Sequence, residues 1–427
     1  MNYKNVNFVK LFWATFMFIK INGEKPHIIL IVADDLGWND IGFHGSKEIS
    51  TPNIDRLATN GVVLDNYYVL PICTPSRSAI MTGRYPIHTG MQQDTIYGPN
   101  PYGVSLNEKF LPQYLKQQGY KTYGVGKWHL GFFAKEYTPT YRGFDSYYGS
   151  YLGKGDYWNH SNTETFSGLD LHDNEKVIIG VFSQDGAYNT EMYTSKAISY
   201  ISNHNCSEPL FLYLAFQAVH SSNSEVEPLQ APQEWIDKFS YIKHEQRRKY
   251  AAMLAYMDYG IGRVHEALIE KKMLDNSVII FTTDNGGPSN GFNNNWANNF
   301  PLRGVKATLF EGLKNWDGWY PPPSYNESMD ESLNSSILKC GHDFPVVINH
   351  CDDYCLFHVV EDPCEIVDLS KKFPDVLATM MYRLNIYKQS MVPPRNNMTI
   401  DSRSDPKLHN GVWQPWEISS NIGCSKI

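Results

Sequence analysis

The chain has 427 residues, of which 42% are hydrophobic and 19% charged, so its composition is that of a globular protein and not of a disordered or fibrous one. At about 150 residues per domain, this length predicts two or three domains. With 37 Lys and Arg against 45 Asp and Glu, the formal net charge is −8. This charge argues against binding of nucleic acid or another polyanion over a large part of the surface. Any anionic substrate must therefore meet a local cluster of cations.

The N-terminal segment has the layout of a secretory signal peptide. Lys4 and Lys10 accompany an apolar run over residues 11–19, and the small residue Gly23 precedes a polar break. The run is too short to cross a bilayer, which takes roughly 20 residues, so we expect residues 1–23 to be cleaved and the mature chain to contain no membrane span. N-glycosylation sequons agree with passage through the secretory pathway to a lysosome-like organelle or to the outside of the cell; they start at Asn159, Asn205, Asn326, Asn334 and Asn397.

Four short apolar runs have strand character and end in ionisable or amide side chains. Near-continuous apolar strands suit a parallel sheet that is covered on both faces, and helix-like stretches at 53–60, 111–118 and 250–272 lie between the runs. This alternation predicts a doubly wound α/β domain, whose ligands bind beyond the carboxyl ends of the strands. The runs are 28–33 before Asp34 and Asp35, 122–125 before Lys127 and His129, 210–216 before His220, and 278–283 before Asp284 and Asn285.

The chain after residue 283 has a different character. Residues 286–328 are rich in Asn, Gly, Pro and Trp, with one brief possible helix at 306–312. Irregular stretches of this length are uncommon inside a compact domain, so the region is either a functional surface or lacks a segment that should follow Gly312. Beyond it, a strand-like run at 355–360, an amphipathic helix at 374–387 and a tail rich in Pro and Trp predict a small C-terminal domain.

Cys73 opens the motif at 73–83, which continues with Pro75, Ser76 and Arg77. Pro75 and Ser76 suit the first turn of a helix, which would set Cys73 at the helix N-terminus, where the helix dipole and Arg77 favour a negative charge. A buried, inert cysteine or one half of a disulfide would account for Cys73 equally well.

The sequence Cys-x-Pro-Ser-Arg, followed by Thr82 and Gly83, resembles the signature of the sulfatase family, in which the cysteine is oxidised to formylglycine. Further matches to that family lie at 34–37, 126–129, 283–287 and 302–306. The resemblance implies an alkaline-phosphatase-like α/β fold, with a doubly wound, mostly parallel sheet and a small C-terminal α+β domain. Motifs at 319–323 and 411–416 are similar to the arylsulfatase B subgroup, which removes the 4-sulfate from N-acetylgalactosamine in chondroitin and dermatan sulfates.

Oxygen donors stand at two of the predicted strand ends, and such a set suits a hard divalent cation better than zinc. The resemblance implies one calcium ion, with the modified Cys73 completing its shell. An acidic pair at a strand end can also be a simple turn or helix cap. The predicted metal ligands are Asp34, Asp35, Cys73, Asp284 and Asn285.

The resemblance also implies the catalytic roles. The aldehyde made from Cys73 by the formylglycine-generating enzyme hydrates to a geminal diol, and one hydroxyl, made more acidic by the cation, attacks sulfur in line with the leaving oxygen. The second hydroxyl allows sulfate to be expelled and the aldehyde to be restored. Arg77 would hold the diol, Lys127 and Lys306 would stabilise charge on the sulfate oxygens, His129 would help to eliminate sulfate, and His220 would assist protonation of the leaving oxygen.

The sequence departs from the family pattern at two places. Glu311 and Gly312 run straight into residues 313–316, which resemble a segment much nearer the family's C-terminus, so several tens of residues are expected to be missing. Such a loss should uncover apolar surface on the sheet and shift Lys306. Residues 221–227 look like an insertion after His220, on the leaving-group side of the site. The expected domains are a signal peptide at 1–23, a catalytic domain at 24–312 and a C-terminal subdomain at 313–427.

Together these observations predict a sulfuric ester hydrolase that acts on a sulfated glycan, N-acetylgalactosamine 4-sulfate in particular, or on an aryl sulfate. The alternatives are a non-catalytic, secreted sulfatase-like glycoprotein or an inactive truncated isoform, and a hydrolase of phosphate or phosphonate esters, against which the intact Cys73 motif argues. The other six of the seven cysteines could form up to three disulfides; they are Cys206, Cys340, Cys351, Cys355, Cys364 and Cys424.

Overall fold

The computed structural model describes residues 25–64, 67–180, 188–308, 354–396 and 398–417. Its strands are β1 (His27–Ala33), β2 (Lys121–Lys127), β3 (Ser146–Ser150), β4 (Ser161–Thr163), β5 (Ser167–Leu169), β6 (His172–Asp173), β7 (Lys176–Val177), β8 (Leu210–Ala215) and β9 (Ser277–Thr283). Its α-helices are α1 (Pro52–Thr59), α2 (Cys73–Thr82), α3 (Leu111–Gln117), α4 (Asn189–Asn203), α5 (Gln233–Lys238), α6 (Glu245–Glu270) and α7 (Pro374–Gln389).

Four expected strands are confirmed: 28–33 as β1, 122–125 as β2, 210–216 as β8 and 278–283 as β9. Four expected helices are also confirmed: 53–60 as α1, 111–118 as α3, 250–272 as α6 and 374–387 as α7. α6 begins before the expected residue, because the side chain of His244 accepts a hydrogen bond from the backbone N–H of Arg247 and caps the helix there.

Five parallel strands form most of a seven-stranded sheet, whose order is β7, β6, β3, β2, β8, β1, β9. β6 and β7 add an antiparallel hairpin at one edge, and β9 forms the other edge. β1 lies between β8 and β9, with Leu30 beside Tyr213 on one side and Ile280 on the other. The prediction of a doubly wound, mostly parallel α/β sheet is therefore confirmed.

Alternate residues of β1 face two separate cores, one on each side of the sheet. Ile29 and Ile31 join a cluster with residues of α4 and α6, whereas Leu30 and Val32 join a second cluster with residues of α2 and α3. Burial on both faces explains why the central strands are apolar without interruption. Because the parallel strands share one direction, their carboxyl ends meet at one edge, which we call the carboxyl edge.

The tail of the chain packs into the core on the α2 side of the sheet. Val412 pairs with Leu169 of β5, and the indole N–H of Trp413 donates to the carbonyl of Asn162 (3.0 Å). Trp413 is fully buried, and Trp416 lies edge-on to the ring of Phe132, with the ring centroids 5.5 Å apart. Residues 411–416 therefore complete this core rather than cover its outside.

Residues 355–360 and 306–308 do not have the expected structure. No strand forms at 355–360, because side chains satisfy the backbone there: the carboxylate of Asp368 accepts from the N–H of Leu356 (2.9 Å). Residues 306–308 form a turn and not a helix, because the hydroxyl of Thr308 accepts from the N–H of Val305 (2.9 Å) and donates to its carbonyl (2.6 Å).

Three of the six other cysteines lie among the described residues. Cys206 is a free, exposed thiol, whereas Cys355 and Cys364 are disulfide-bonded. α7 is a helix as expected, but none of its residues is buried.

Other predictions lie partly or wholly outside the described residues. These are the signal peptide at 1–23, the junction of Gly312 with Leu313, the sequons at Asn326, Asn334 and Asn397, and the cysteines Cys340, Cys351 and Cys424. The sequons at Asn159 and Asn205 are described, and both asparagines are exposed. Among the described helices, none has both the length and the apolar character that a membrane crossing requires.

Replacing Trp413 tests whether the tail belongs to the core. We expect Trp413→Ala to lower the free energy of unfolding by about 3–5 kcal/mol, because it leaves a cavity and deprives the Asn162 carbonyl of its donor. Leu408→Ala is the matched control in the same segment; its side chain is 67% exposed, so its effect should stay within about 0.5 kcal/mol. Urea denaturation measures both, and equal effects would contradict the packing described here.

Candidate active site

The motif residues meet at the carboxyl edge. β1 runs into Asp34 and Asp35, and β9 runs into Asp284, whose backbone N–H donates to the carbonyl of Ala33 (3.1 Å) and so keeps the two strand ends side by side. All the motif residues here are buried, none being more than 5% exposed: Asp34, Asp35, Cys73, Arg77, Lys127, His129, His220, Asp284, Asn285 and Lys306. The chain thus brings together the whole set that the sequence singled out.

Potential metal-ligand atoms converge beside the ends of β1 and β9. One potential ligand atom from each of Asp34, Asp35, Cys73 and His220 lies within 4.8 Å of the others. Asn285 donates its amide N–H to Asp35 Oδ1 (2.6 Å), while its own Oδ1 is buried and has no hydrogen-bond partner. A buried amide oxygen without a donor is costly unless a ligand satisfies it. Carboxylate and amide oxygens are the donors that a hard divalent cation takes, so this set fits such an ion.

Three cations neutralise three carboxylates at this edge. The pairs are Arg77 Nη2 with Asp284 Oδ2 (2.9 Å), Lys127 Nζ with Asp34 Oδ2 (2.5 Å) and Lys306 Nζ with Asp35 Oδ2 (2.8 Å). The paired side chains are at most 1% exposed. Water therefore cannot screen them, and removing one partner would leave a buried charge uncompensated. With all six groups ionised, the formal charge of this set of ion pairs is zero.

Burial and neighbouring charges move the pKa values of two of these carboxyls in opposite directions. Burial, followed by the charge of Asp284, raises the pKa of Asp34 to about 8. Burial would also raise the pKa of Asp284, but Arg77 and Lys127 overcome it and hold that pKa well below its usual range. Asp34 is thus the carboxyl that binds a proton more readily, and a divalent cation at this edge would compete with that proton.

Cys73 begins α2, but its thiol is not the anion that the helix position and Arg77 suggested. The side chain is 1% exposed, and burial together with the charge of Asp284 raises the pKa of Cys73 to about 12. Its Sγ lies 3.7 Å from Asp34 Oδ1, so a thiolate would face a carboxylate. Cys73 is free, which removes the disulfide alternative. A protonated, buried thiol is a poor nucleophile, so nucleophilic chemistry at this position requires a different group on residue 73.

The two histidines have different hydrogen bonds. His220 Nδ1 lies 2.6 Å from the carbonyl of Ser221, so it carries the proton, and Nε2 accepts from the ammonium of Lys306 (2.8 Å). His129 Nε2 lies 3.1 Å from the carbonyl of Ile96, while its Nδ1 is buried and unpartnered. Burial, followed by neighbouring lysines, lowers the pKa of both rings well below the usual range, which favours neutral imidazoles.

Lys154 is a residue of this site that the sequence motifs do not include. Its neighbours Gly153 and Gly155 contact the segments that carry His129 and His220. A Cβ on Gly153 would lie 2.4 Å from the His129 ring, and the carbonyl of Gly155 accepts from Nε2 of Gln217, three residues before His220 (2.7 Å). Burial, helped by Lys306 and Lys127, lowers the pKa of Lys154, although Glu164 opposes this. The only sequence signal was the Gly-Lys-Gly pattern, which permits close approach of the backbone.

Asn295 is a positioning residue that the motifs also omit. Its side-chain NH₂ donates to the carbonyls of Asp35 (3.0 Å) and Val219 (2.9 Å), which ties the loop of Asp34 and Asp35 to the loop that carries His220. It lies in the Asn-rich stretch of the sequence, where no motif distinguishes it from the neighbouring asparagines. The side chain is fully buried, so both bonds are protected from water.

Comparison with known proteins finds a matching family profile, sequence relatives and structures of similar fold. The profile of the family described as Sulfatase matches residues 26–317. The chain is 35% identical to arylsulfatase J of Mus musculus over 500 aligned residues, which cover 93% of this chain and 81% of the relative. It is 31% identical to N-acetylgalactosamine-6-sulfatase of Homo sapiens over 301 residues, covering 68% of this chain and 55% of that protein. Among solved structures it resembles Ps i-CgsB in complex with k-i-k-neocarrahexaose, with a TM-score of 0.59 and 37% identity, over 66% of this chain and 62% of that one. The chain thus spans less than two thirds of the length of the last two proteins.

Glu164, beside Lys154, should give the stability of the protein a pH dependence. Burial raises the pKa of Glu164 to about 7, so the folded state keeps a proton that the unfolded chain releases at lower pH. The contribution of this group to stability therefore falls as the pH rises from 5 to 8. We expect Glu164→Gln to remove this contribution, so that the variant gains about 1–2 kcal/mol relative to the wild type between these pH values. Urea denaturation at both pH values measures it, with the exposed Glu270→Gln as control; parallel profiles for wild type and Glu164→Gln would contradict the assignment.

Proposed function

The chain belongs to the sulfatase family of sulfuric ester hydrolases, with the alkaline-phosphatase-like α/β fold, and from this premise we propose that it removes sulfate from a sulfated glycan. The observation that carries the proposal is the buried set at the carboxyl edge, in which three carboxylates and three cations surround Cys73. Resemblance to the arylsulfatase B subgroup supports N-acetylgalactosamine 4-sulfate, or a simple aryl sulfate, as the ester that is cleaved.

We propose that the cofactor is one calcium ion held by Asp34, Asp35, Asp284, Asn285 and an oxygen on residue 73. The unpartnered amide oxygen of Asn285 supports this assignment, as does the preponderance of carboxylate donors. The formylglycine made from Cys73 would supply the attacking hydroxyl, and the bound cation would make that hydroxyl more acidic. Because the set of ion pairs is neutral by itself, a divalent cation would give it a net charge of +2, which favours an anionic ester.

The chain's own residues would bind the ester and handle the proton. Arg77, which is fixed by Asp284, would orient the group on residue 73, and Lys127 and Lys306 would turn from their carboxylates towards the sulfate oxygens. His220 accepts a hydrogen bond from Lys306, so this pair can pass a proton to the leaving oxygen without the imidazole having to be charged beforehand. The unpartnered Nδ1 of His129 could accept a hydrogen bond from the second hydroxyl on residue 73.

The proposed maturation and location follow from the same resemblance. The formylglycine-generating enzyme would be the partner during maturation, in the secretory pathway, and the mature chain would act in a lysosome-like organelle or outside the cell. The exposed Asn159 and Asn205 can accept glycans there.

An internal deletion after Gly312 remains part of the proposal. Two observations support it. The alignment with arylsulfatase J has 500 positions and so exceeds the 427 residues of this chain. The edge strand β9 also exposes Val278 (46%) and Ile280 (44%) on one face, the uncovered apolar surface that such a loss should leave. Sequencing the transcript across Gly312 and Leu313 tests it directly, and a transcript that encodes several tens of extra residues at this junction would show that the short form is a faulty gene assembly.

Removing the metal should destabilise the folded chain. We expect a calcium chelator to lower the melting temperature by about 3–8 °C and added calcium to restore it, because the ion binds the folded state alone. Asn285→Ala should weaken the calcium concentration dependence, whereas Asn203→Ala, at an exposed helical asparagine, should not. Differential scanning calorimetry measures the melting temperature of each protein with and without calcium. A melting temperature that is insensitive to chelation would contradict the calcium assignment.

The chemical state of residue 73 gives the most direct test of the proposed catalysis. We expect mass spectrometry of the secreted protein to find an aldehyde in place of the Cys73 thiol, and that material to hydrolyse an aryl sulfate in a calcium-dependent way. Lys306→Ala should lower the rate by about 10²–10³-fold through loss of charge stabilisation, and the exposed Lys176→Ala should leave it unchanged. Folded protein that carries the aldehyde and yet turns over no sulfate ester would contradict the proposal.

A further inference from the structure

A cavity of about 660 Å³ lies beside the loop that follows His220. Its walls come from Trp158, from residues 227–231 at the end of the 221–227 segment and after it, and from the facing parts of α5 and α6. The aromatic and polar residues that line it include Trp158, Glu227, Gln230, Lys243, Glu245, Arg248 and Lys249. The volume suits one or two sugar rings. None of the motifs assigns a role to it.

The cavity wall and the catalytic histidine belong to one hydrogen-bonded unit. The side chain of Gln230 accepts from the backbone N–H of Tyr157 (2.8 Å), and the hydroxyl of Tyr157 donates to the carbonyl of His220 (2.8 Å). Tyr157 is fully buried, so it fixes both sides. Trp158 follows Tyr157 directly, on the loop that also carries Lys154. The cavity is therefore held in a fixed relation to the leaving-group side of the site.

Two cations of the cavity have no carboxylate partner among the described residues. Arg248 donates to the backbone carbonyls of Ile242 (2.8 Å) and Lys243 (3.5 Å), and Lys243 is exposed. By contrast, Lys249 is shared between Glu227 and Glu245. Three cations and two carboxylates line the cavity, so its formal charge is +1. An anion there would find the donors of Arg248 and Lys243 available.

Trp158 supplies an apolar face on the same cavity. Its side chain is 36% exposed, and it packs against Tyr188 with the ring centroids 5.0 Å apart, so the indole is supported from within the protein. An aromatic ring that is partly exposed, and that packs against the protein on its other side, is a surface on which the apolar face of a pyranose ring can lie. An aromatic platform beside uncompensated cations matches a sugar that carries an acidic group.

We propose that this cavity binds an anionic sugar unit of the substrate, bearing a carboxylate or a second sulfate, next to the unit that loses its sulfate. The inference rests on the proposed hydrolase function and deepens it, because it makes the substrate an oligosaccharide with repeated negative charge. The 221–227 insertion contributes the wall: the hydroxyl of Ser222 donates to the carbonyl of Glu227 (3.0 Å), and the N–H of Ser222 donates to the carbonyl of Pro228 (2.6 Å).

The test compares a sulfated oligosaccharide with a small substrate that cannot reach the cavity. All proteins carry Ser161→Ala, which removes the Asn159 sequon beside Trp158 but keeps the bond from the residue-161 backbone N–H to Asn159 Oδ1 (2.8 Å). Trp158→Ala and the double variant Lys243→Gln with Arg248→Gln are set against Lys238→Gln, an exposed lysine of α5 that does not line the cavity. The probes are a chondroitin 4-sulfate tetrasaccharide and an aryl sulfate, and calorimetry measures binding of the tetrasaccharide without turnover.

We expect each cavity variant to raise KM and Kd for the tetrasaccharide by about 5–20-fold with kcat unchanged, and to leave aryl sulfate hydrolysis within about twofold of the parent, which also shows that the variants fold. The effect of the double variant should shrink in high salt. Unaltered tetrasaccharide binding by both variants overturns the inference and leaves the hydrolase proposal standing. If the parent binds the tetrasaccharide through the cavity but cleaves neither substrate, the hydrolase proposal fails and the binding site stands.

Discussion

The buried ion pairs at the carboxyl edge are the constraint on which the rest of the structure depends. Arg77, Lys127 and Lys306 each face a carboxylate where water is excluded, and there a single unmatched charge would cost several kcal/mol. The parallel sheet meets this demand because β1 lies between β8 and β9, which brings the ends of three strands to one place. Two hydrophobic cores, one on each face, hold those strands rigidly enough to keep the charges in register.

Polar side chains outside the motifs hold the loops that complete this edge. Arg247 of α6 pairs with the buried Asp40 (2.7 Å), which also accepts hydrogen bonds from the hydroxyl of Tyr250 (2.5 Å) and the N–H of Asn298 (2.9 Å). This network joins the loop after Asp35 to the Asn-rich stretch that leads to Lys306. Directional bonds thus fix these loops in addition to the apolar packing of Leu36, Ile41 and Ala297. Such bonds suit a site whose polar groups must stay oriented where water is excluded.

Much of this arrangement could be predicted from the sequence, because the informative residues follow apolar strands and parallel strands must end together. The positions of Asp34, His220 and Asp284 come from that rule alone. Lys154 and Asn295 could not be found in this way, since each depends on contacts between segments that are distant along the chain. The charge state of Cys73 stayed open between a thiolate and a buried, inert thiol for a related reason. Helix position and Arg77 favour a thiolate, but burial and Asp284 outweigh them, and burial cannot be read from a local motif.

The burial of Cys73 also sets an order of events in the life of the chain. In the folded protein the side chain is 1% exposed and lies against Asp34, within the first turn of α2, so a modifying enzyme could not reach its Sγ or Cβ. Any conversion of this residue must therefore take place while the segment is still extended and accessible. Folding then closes over the product, and the time between synthesis and folding decides what fraction of molecules ever acquires the altered group.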